Sequence, residues 1–235
     1  MFLNKLRTFL RYSNKEQSNF LDDGVLSFRE ALQESLSWRL REVTLIKNLL
    51  ENTEKDDDKG VVRKTLILLM YSHYEGFVKE SLILYIYYIN DLNINKMDVI
   101  SNLKVLSLES ALKKKMSTQL NFDGFLYLFN NFTQLNDGIF YIQEKTVIDT
   151  KSNLNFDVLL INLTRVGICS EPFKGLEKDI NAFVNRRNEI AHGAYKNLIQ
   201  KSEYERWERM FNRICSDFIR LLTNAVENKE YLEKK

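Results

Sequence analysis

Histidine is the side chain best suited to moving protons near neutral pH, and this 235-residue chain holds two, His73 and His192. His192 closes a polar run, Asn185-Arg186-Arg187-Asn188-Glu189-Ile190-Ala191-His192-Gly193, set inside an otherwise apolar pattern. Ile180, Phe183, Val184, Ile190, Ala191 and Ala194 trace a broad apolar helical face, and Arg187 falls in its middle. Burying a guanidinium there without a partner costs on the order of several kcal/mol. Arg187 must therefore meet a carboxylate, a ligand phosphate or a wet crevice at a subunit contact. Asn188 stands one helical turn before His192 and shares its face, where the amide is placed to orient the imidazole. Arg187 and His192 are about 140° apart around a helix. They converge best with His192 at a frayed helix end, or with the site shared across a two-fold axis.

Two chemistries fit this spacing. One is structural: a buried arginine in an ion pair, and a histidine interacting with the helix C-terminus, where the dipole favours an imidazolium. The other is a phosphodiester site, in which Arg187 neutralises charge building on the phosphate while His192 transfers a proton to or from a 2′-hydroxyl or the leaving 5′-oxygen. The second needs RNA, because only RNA carries that hydroxyl as an internal nucleophile. Glu75, on the most apolar segment, is a candidate counter-ion for the arginine, and Glu189 is a second. His73 continues the Leu66, Met70, Phe77 stripe and reads either as a satisfied core histidine or as a supporting group beside Arg187 or His192.

Other chemistries lack their residues. The chain has no Gly-x-x-x-x-Gly-Lys-Ser/Thr phosphate loop, no Gly-x-Gly-x-x-Gly, no Gly-x-Ser-x-Gly elbow and no His-Glu-x-x-His pair. Cys169 and Cys215 are far apart and read as two reduced, half-buried thiols rather than a disulfide framework or a thiolate metal site. No clustered acidic motif asks for magnesium, so neither metal nor cofactor is expected. With 34 Lys plus Arg against 32 Asp plus Glu, the net charge of +2 is not the field of a protein that coats nucleic acid without selectivity. The run Lys113-Lys114-Lys115 reads as a solvated face in preference to an RNA track.

The elements that carry these residues are helical. One proline and eight glycines leave too little turn punctuation for a sandwich or barrel of short strands. Residues 1–22 read as an amphipathic extension, with Phe2, Leu3, Leu6, Phe9 and Leu10 on one face, that is expected to pack on the domain or a partner in preference to a membrane surface, so no membrane partner is expected. It has no signal-peptide core, and no uncharged stretch of about 18 apolar residues exists to cross a bilayer, so a cytoplasmic location is expected. Apolar spacing predicts helices over residues 25–52, 61–90 and, more weakly, 94–115, with the charged run 54–60 as a solvated turn in which Gly60 takes positive φ. Residues 121–152 read as a mixed, irregular insertion: Asp123-Gly124 and Asp137-Gly138 are turn dipeptides, and 139–148 suits a short extended segment or hairpin arm. A short helix over 158–166 closes at Gly167, the next enters at Glu171-Pro172 and runs to about Ala191, and the last begins at a Ser202/Glu205 capping box and continues to about Ala225. With no repeat and no linker, one helical domain over 1–235 is the simplest account.

Arg187-Asn188-Glu189-Ile190-Ala191-His192 resembles the Arg-x(4 to 6)-His signature of HEPN-domain ribonucleases. Tyr71-Ser72-His73-Tyr74-Glu75-Gly76-Phe77-Val78-Lys79, with Asn153-Leu154-Asn155-Phe156 leading into Leu163-Thr164-Arg165-Val166-Gly167-Ile168, is similar to the MAE_28990/MAE_18760-like HEPN branch. The likeness spans about residues 61–225. It implies an all-α antiparallel bundle that dimerises so that both copies of Arg187 and His192 line one cleft and cut RNA without metal, with Asn188 in a supporting place. Arg186 and Tyr195 flank the motif as further supporting candidates. Family members commonly act as toxins or in defence against phage, some held by an inhibitory or antitoxin partner, and others have lost activity and serve as binding adaptors. HEPN toxins silenced by a partner nucleotidyltransferase carry a tyrosine two residues after the histidine, whereas Gly193-Ala194 here puts Tyr195 three after it.

Overall fold

Three- and four-residue apolar spacing produces two long antiparallel helices, α1 (Gln17–Glu51) and α2 (Asp56–Asp91). The computed structural model describes residues 17–115, 122–143 and 147–234, so positions 1–16 of the expected amphipathic extension lie outside it. Five further helices follow among the described residues: α3 (Ser101–Lys115), α4 (Phe122–Asn136), α5 (Phe156–Arg165), α6 (Glu177–Ala191) and α7 (Lys201–Glu227). Two 3-10 turns, Lys96–Asp98 and Glu171–Leu176, join them. No strand forms among the described residues, and the chain is all-α. The side chains at 113–115, including the lysine run, also lie outside the described residues.

Helix α2 is apolar nearly all round and is accordingly the centre of the bundle, packed against α1, α6 and α7. Leu66, Ile67, Met70, Tyr74, Phe77, Leu82 and Tyr85 are wholly buried along it. Each such side chain contributes about 1.5–3 kcal/mol of transfer free energy. Helix α7 lays Tyr204, Trp207, Phe211, Ile214, Phe218 and Ala225 onto this core as the stripe predicts.

Several local expectations are corrected. The solvated turn is confined to the few residues between Glu51 and Asp56. Asp56, Asp57 and Asp58 form the first turn of α2, where the helix dipole favours carboxylates. Gly60 is therefore helical rather than at positive φ; it is buried because the 193–200 loop packs there, with Leu198 Cδ2 only 2.6 Å from where a Cβ would stand. Asp123-Gly124 is no turn either: both residues lie within α4, since one glycine costs a helix only about 1 kcal/mol. Of the irregular insertion, the described stretch between α4 and α5 keeps that character. The extended arm reduces to a single Asn95–Ile139 bridge, with Asn90 holding Ile142 through two side-chain hydrogen bonds. Asp137-Gly138 does turn, with Gly138 at φ +87°. The Ser202/Glu205 capping box does not form, because the chain is already helical at Lys201 and Gln200 takes the N-cap position without a side-chain bond.

The elements that carry the motif are set by short-range rules. Asn155 Oδ1 accepts from Val158 N at 2.9 Å and caps α5, and Gly167 at φ +73° ends it, with Ile168 N donating to Leu163 O. Pro172 opens the 3-10 turn that precedes α6, and the chain leaves α6 at His192 and Gly193.

Candidate functional site

Arg187 projects from the last turns of α6 toward α2 and the loop before α5. Its guanidinium carbon lies 4.0 Å over the Tyr71 ring, its Nη2 donates to the Ser152 carbonyl at 3.0 Å, and the same nitrogen stands 3.8 Å from Glu75 Oε2. The arginine on the apolar face thus meets an aromatic face, a carbonyl and a carboxylate, and Glu75 of the two candidate counter-ions is the one that faces it. About a fifth of the Arg187 side chain remains exposed, so part of its donor fork faces outward. Glu189 is turned away: its carboxylate accepts from Arg186 Nη1 at 2.6 Å, while Arg186 Nε donates to Glu203.

The loop before α5 completes this floor. Thr150 Oγ1 donates to Glu75 Oε1 at 2.6 Å, Asn188 Nδ2 donates to Asn153 Oδ1 at 3.3 Å, and Leu154 N donates to Tyr71 Oη at 2.7 Å. Asn162 anchors the loop's start through two hydrogen bonds with the Asp149 backbone. Lys151 and Ser152 both sit at positive φ, +57° and +51°, which turns the Ser152 carbonyl toward Arg187. Burial pushes the Tyr71 phenol above its usual range, so it stays protonated and serves as a neutral surface under the guanidinium.

His192 is the C-cap of α6, one residue past the helix, and is exposed. It therefore stands at the C-terminal end of α6, five residues after Arg187. Its backbone N–H closes onto Asn188 O at 2.9 Å, and Gly193 at φ +71° swings the chain away and leaves the imidazole uncovered. The Asn188 amide nitrogen bonds to Asn153 in this arrangement.

His73 belongs elsewhere. It is buried between α2 and α1, edge-on to Trp38 at 5.2 Å, with its Nε2 3.1 Å from Glu42 but without hydrogen-bond geometry. Two positions from Glu75 on one helix, it points to a different face, so the supporting role beside Arg187 is not observed. Tyr195 lies in the loop after α6, its ring 4.0 Å from the Arg186 guanidinium carbon and 5.4 Å from Lys64 Nζ.

Sequence reasoning did not single out Thr150, Ser152 or Asn153 as site residues, nor Tyr71 as the arginine's floor. Tyr71 and Asn153 fall in sequence blocks that stood out, but which side chains those blocks bring together is a tertiary matter. No group of three or more His, Cys, Asp or Glu side chains among the described residues is placed to hold a metal ion, and no described helix is long and apolar enough to cross a membrane. Compared with known proteins, the chain matches the family described as HEPN_MAE_28990/-like HEPN over residues 28–231. No curated protein and no solved structure gives a significant match.

Proposed function

Since the chain belongs to the HEPN_MAE_28990/-like HEPN family, with the matched region reaching from α1 past the end of α7, we propose that it is a metal-independent endoribonuclease built on Arg187 and His192. The observation that carries this reading is a guanidinium about one-fifth exposed and backed by Tyr71, Glu75 and Ser152, five residues before an exposed histidine at the end of the same helix. A phosphate approaching the outward side of Arg187 would gain a fixed positive partner, and the charge that builds on its oxygens in the transition state would be stabilised there. The RNA 2′-hydroxyl attacks the adjacent phosphorus, the bond to the 5′-oxygen breaks, and a 2′,3′-cyclic phosphate and a 5′-hydroxyl result. His192 accepts the proton of the 2′-hydroxyl or delivers one to the leaving oxygen.

In the proposed homodimer two copies of Arg187 and His192 line one cleft, so one imidazole acts as base and the other as acid. A cytoplasmic toxin or anti-phage effector held by a partner protein is the biological setting we infer from the family. The second reading, a non-catalytic RNA- or protein-binding adaptor, draws on the inward contacts of Arg187, which would equally serve a structural arginine.

The test is cleavage of total RNA and of a tRNA pool in EDTA by wild type, His192→Ala and Arg187→Ala, each checked by light scattering. Wild type is expected to leave cyclic phosphate ends, and each substitution to lower turnover by about 10²–10⁴-fold with the oligomeric state kept. Efficient cutting of a substrate with deoxyribose at the cleaved position would refute 2′-hydroxyl attack, and the absence of any cleavage by an intact wild-type dimer would favour the adaptor.

A further inference from the structure

Arg187 faces Glu75 across 3.8 Å, whereas Arg39 and Glu80, which join α1 to α2, close to 2.8 Å. Glu75 is the more buried of the two carboxylates, 19% exposed against 33% for Glu80. A carboxylate with fewer waters around it should be drawn more firmly onto a neighbouring guanidinium, into a short and often bidentate pair. Glu75 instead stays back, and the placing of its hydroxyl contact differs: Ser35 Oγ donates at 2.8 Å to the same Glu80 Oε2 that meets Arg39, whereas the hydroxyl on Glu75 takes the oxygen that does not face Arg187. Thr150 Oγ1 donates to Glu75 Oε1 at 2.6 Å, and Thr150 is itself only 6% exposed, so its hydroxyl has little water to turn to. The threonine is in turn fixed by its loop, through Asp149 to Asn162 on one side and Leu154 to Tyr71 on the other.

We propose that Thr150 is a positioning residue that holds the Glu75 carboxylate off Arg187 and thereby keeps the outward N–H groups of the arginine free for an anionic ligand. Without that hydroxyl the carboxylate is released to swing onto the guanidinium, neutralise it and take the donors a phosphate needs. The identity of the ligand as an RNA phosphate rests on the function proposed above; the restraint on Glu75 does not.

The probe is a short fluorescein-labelled RNA carrying 2′-O-methyl groups throughout, which cannot be cut by 2′-hydroxyl attack, followed by fluorescence anisotropy at low salt. Thr150→Val is expected to weaken binding roughly tenfold, the scale of one charge-assisted hydrogen bond, and Thr150→Ser to bind like wild type. Because Thr150 acts through Glu75, the Thr150→Val/Glu75→Gln double variant should return to within about twofold of Glu75→Gln alone, as coupled sites require. A folded Thr150→Val protein that binds like wild type, or a double variant that stays weak, overturns the proposal.

Glu75→Gln in the wild-type background needs no Thr150 variant to fold: a carboxylate held at a distance predicts binding tightened by about twofold to threefold. Tightening of tenfold or more would mean that Glu75 already occupies the donors, and would also overturn it. If Arg187→Ala binds the RNA as wild type does, the nucleic-acid reading fails. The restraint is then still decided by the Arg187 side-chain Nε–H resonance, which should move in Thr150→Val and not in Thr150→Ser.

Discussion

Gly167→Ala is a substitution whose effect can be worked out from two separable terms. Gly167 ends α5 at φ +73°, and an L-residue in this left-handed conformation costs about 1–2 kcal/mol. A Cβ there would also stand 2.1 Å from Ile100 Cδ1 and 3.4 Å from its Cγ1. Ile100 must move, and overpacking of this kind costs about 1–3 kcal/mol. The sum is about 2–5 kcal/mol, or roughly 4–20 °C in Tm for a chain of this size. Gly193 supplies the control: its φ is +71°, nothing lies within 4 Å of the added Cβ, and Gly193→Ala should cost only the conformational term, about 1–2 kcal/mol. Urea and thermal unfolding of both variants isolate the steric part as their difference. Ile100→Val removes the Cδ1 atom in contact, so it should cost about 0.5–1.5 kcal/mol alone yet recover most of that difference in the Gly167→Ala background. Equal losses for the two glycine variants, or no recovery on trimming Ile100, would refute the steric assignment.

Two further predictions concern polar groups between α1 and α2. Burial holds His73 below its ordinary range against the opposing pull of Glu42, with Arg39 also lowering it. The unfolded chain therefore binds this proton more readily than the folded one, so the stability tied to a neutral His73 is complete above about pH 6.5 and is lost as pH falls below it. Urea titrations of wild type and His73→Gln at pH 7.5 and 5.5 should show their stability difference shrinking at the lower pH, and a difference that grows would refute the sign. Arg39 is 6% exposed and is bonded to Glu80 and to the Ser35 carbonyl and hydroxyl. Glu80→Gln leaves that buried cation without its counter-charge and should cost about 1–3 kcal/mol. Arg39→Met leaves only the better solvated carboxylate behind and should cost less, which chemical denaturation of the two variants decides.

The helices were legible from the sequence because their signals are local. Apolar spacing marks α2 as the central helix and α7 as an amphipathic one, and the glycine after 158–166 marks an end that only a residue without Cβ occupies cheaply. The motif was legible for the same reason: Arg187 on the apolar stripe of α6 called for a partner, and His192 five residues on called for a helix end, with no knowledge of what lay opposite. Tertiary structure decided which partners they meet. Glu75 and Glu189 had equal standing in the sequence, and α2 packing on α6 gives the arginine to Glu75, while Glu189 pairs with Arg186. Asn188 shares a helical face with His192, yet its amide reaches Asn153, which is 35 residues away. Gly60 and Gly124 carry turn character in isolation, and each is overridden by the helix around it. The floor under Arg187 is the clearest case. Tyr71, Thr150 and Ser152 come from a helix and an irregular loop far apart in the chain, and the separation of Glu75 from Arg187 depends on distances of tenths of an ångström that no residue spacing encodes.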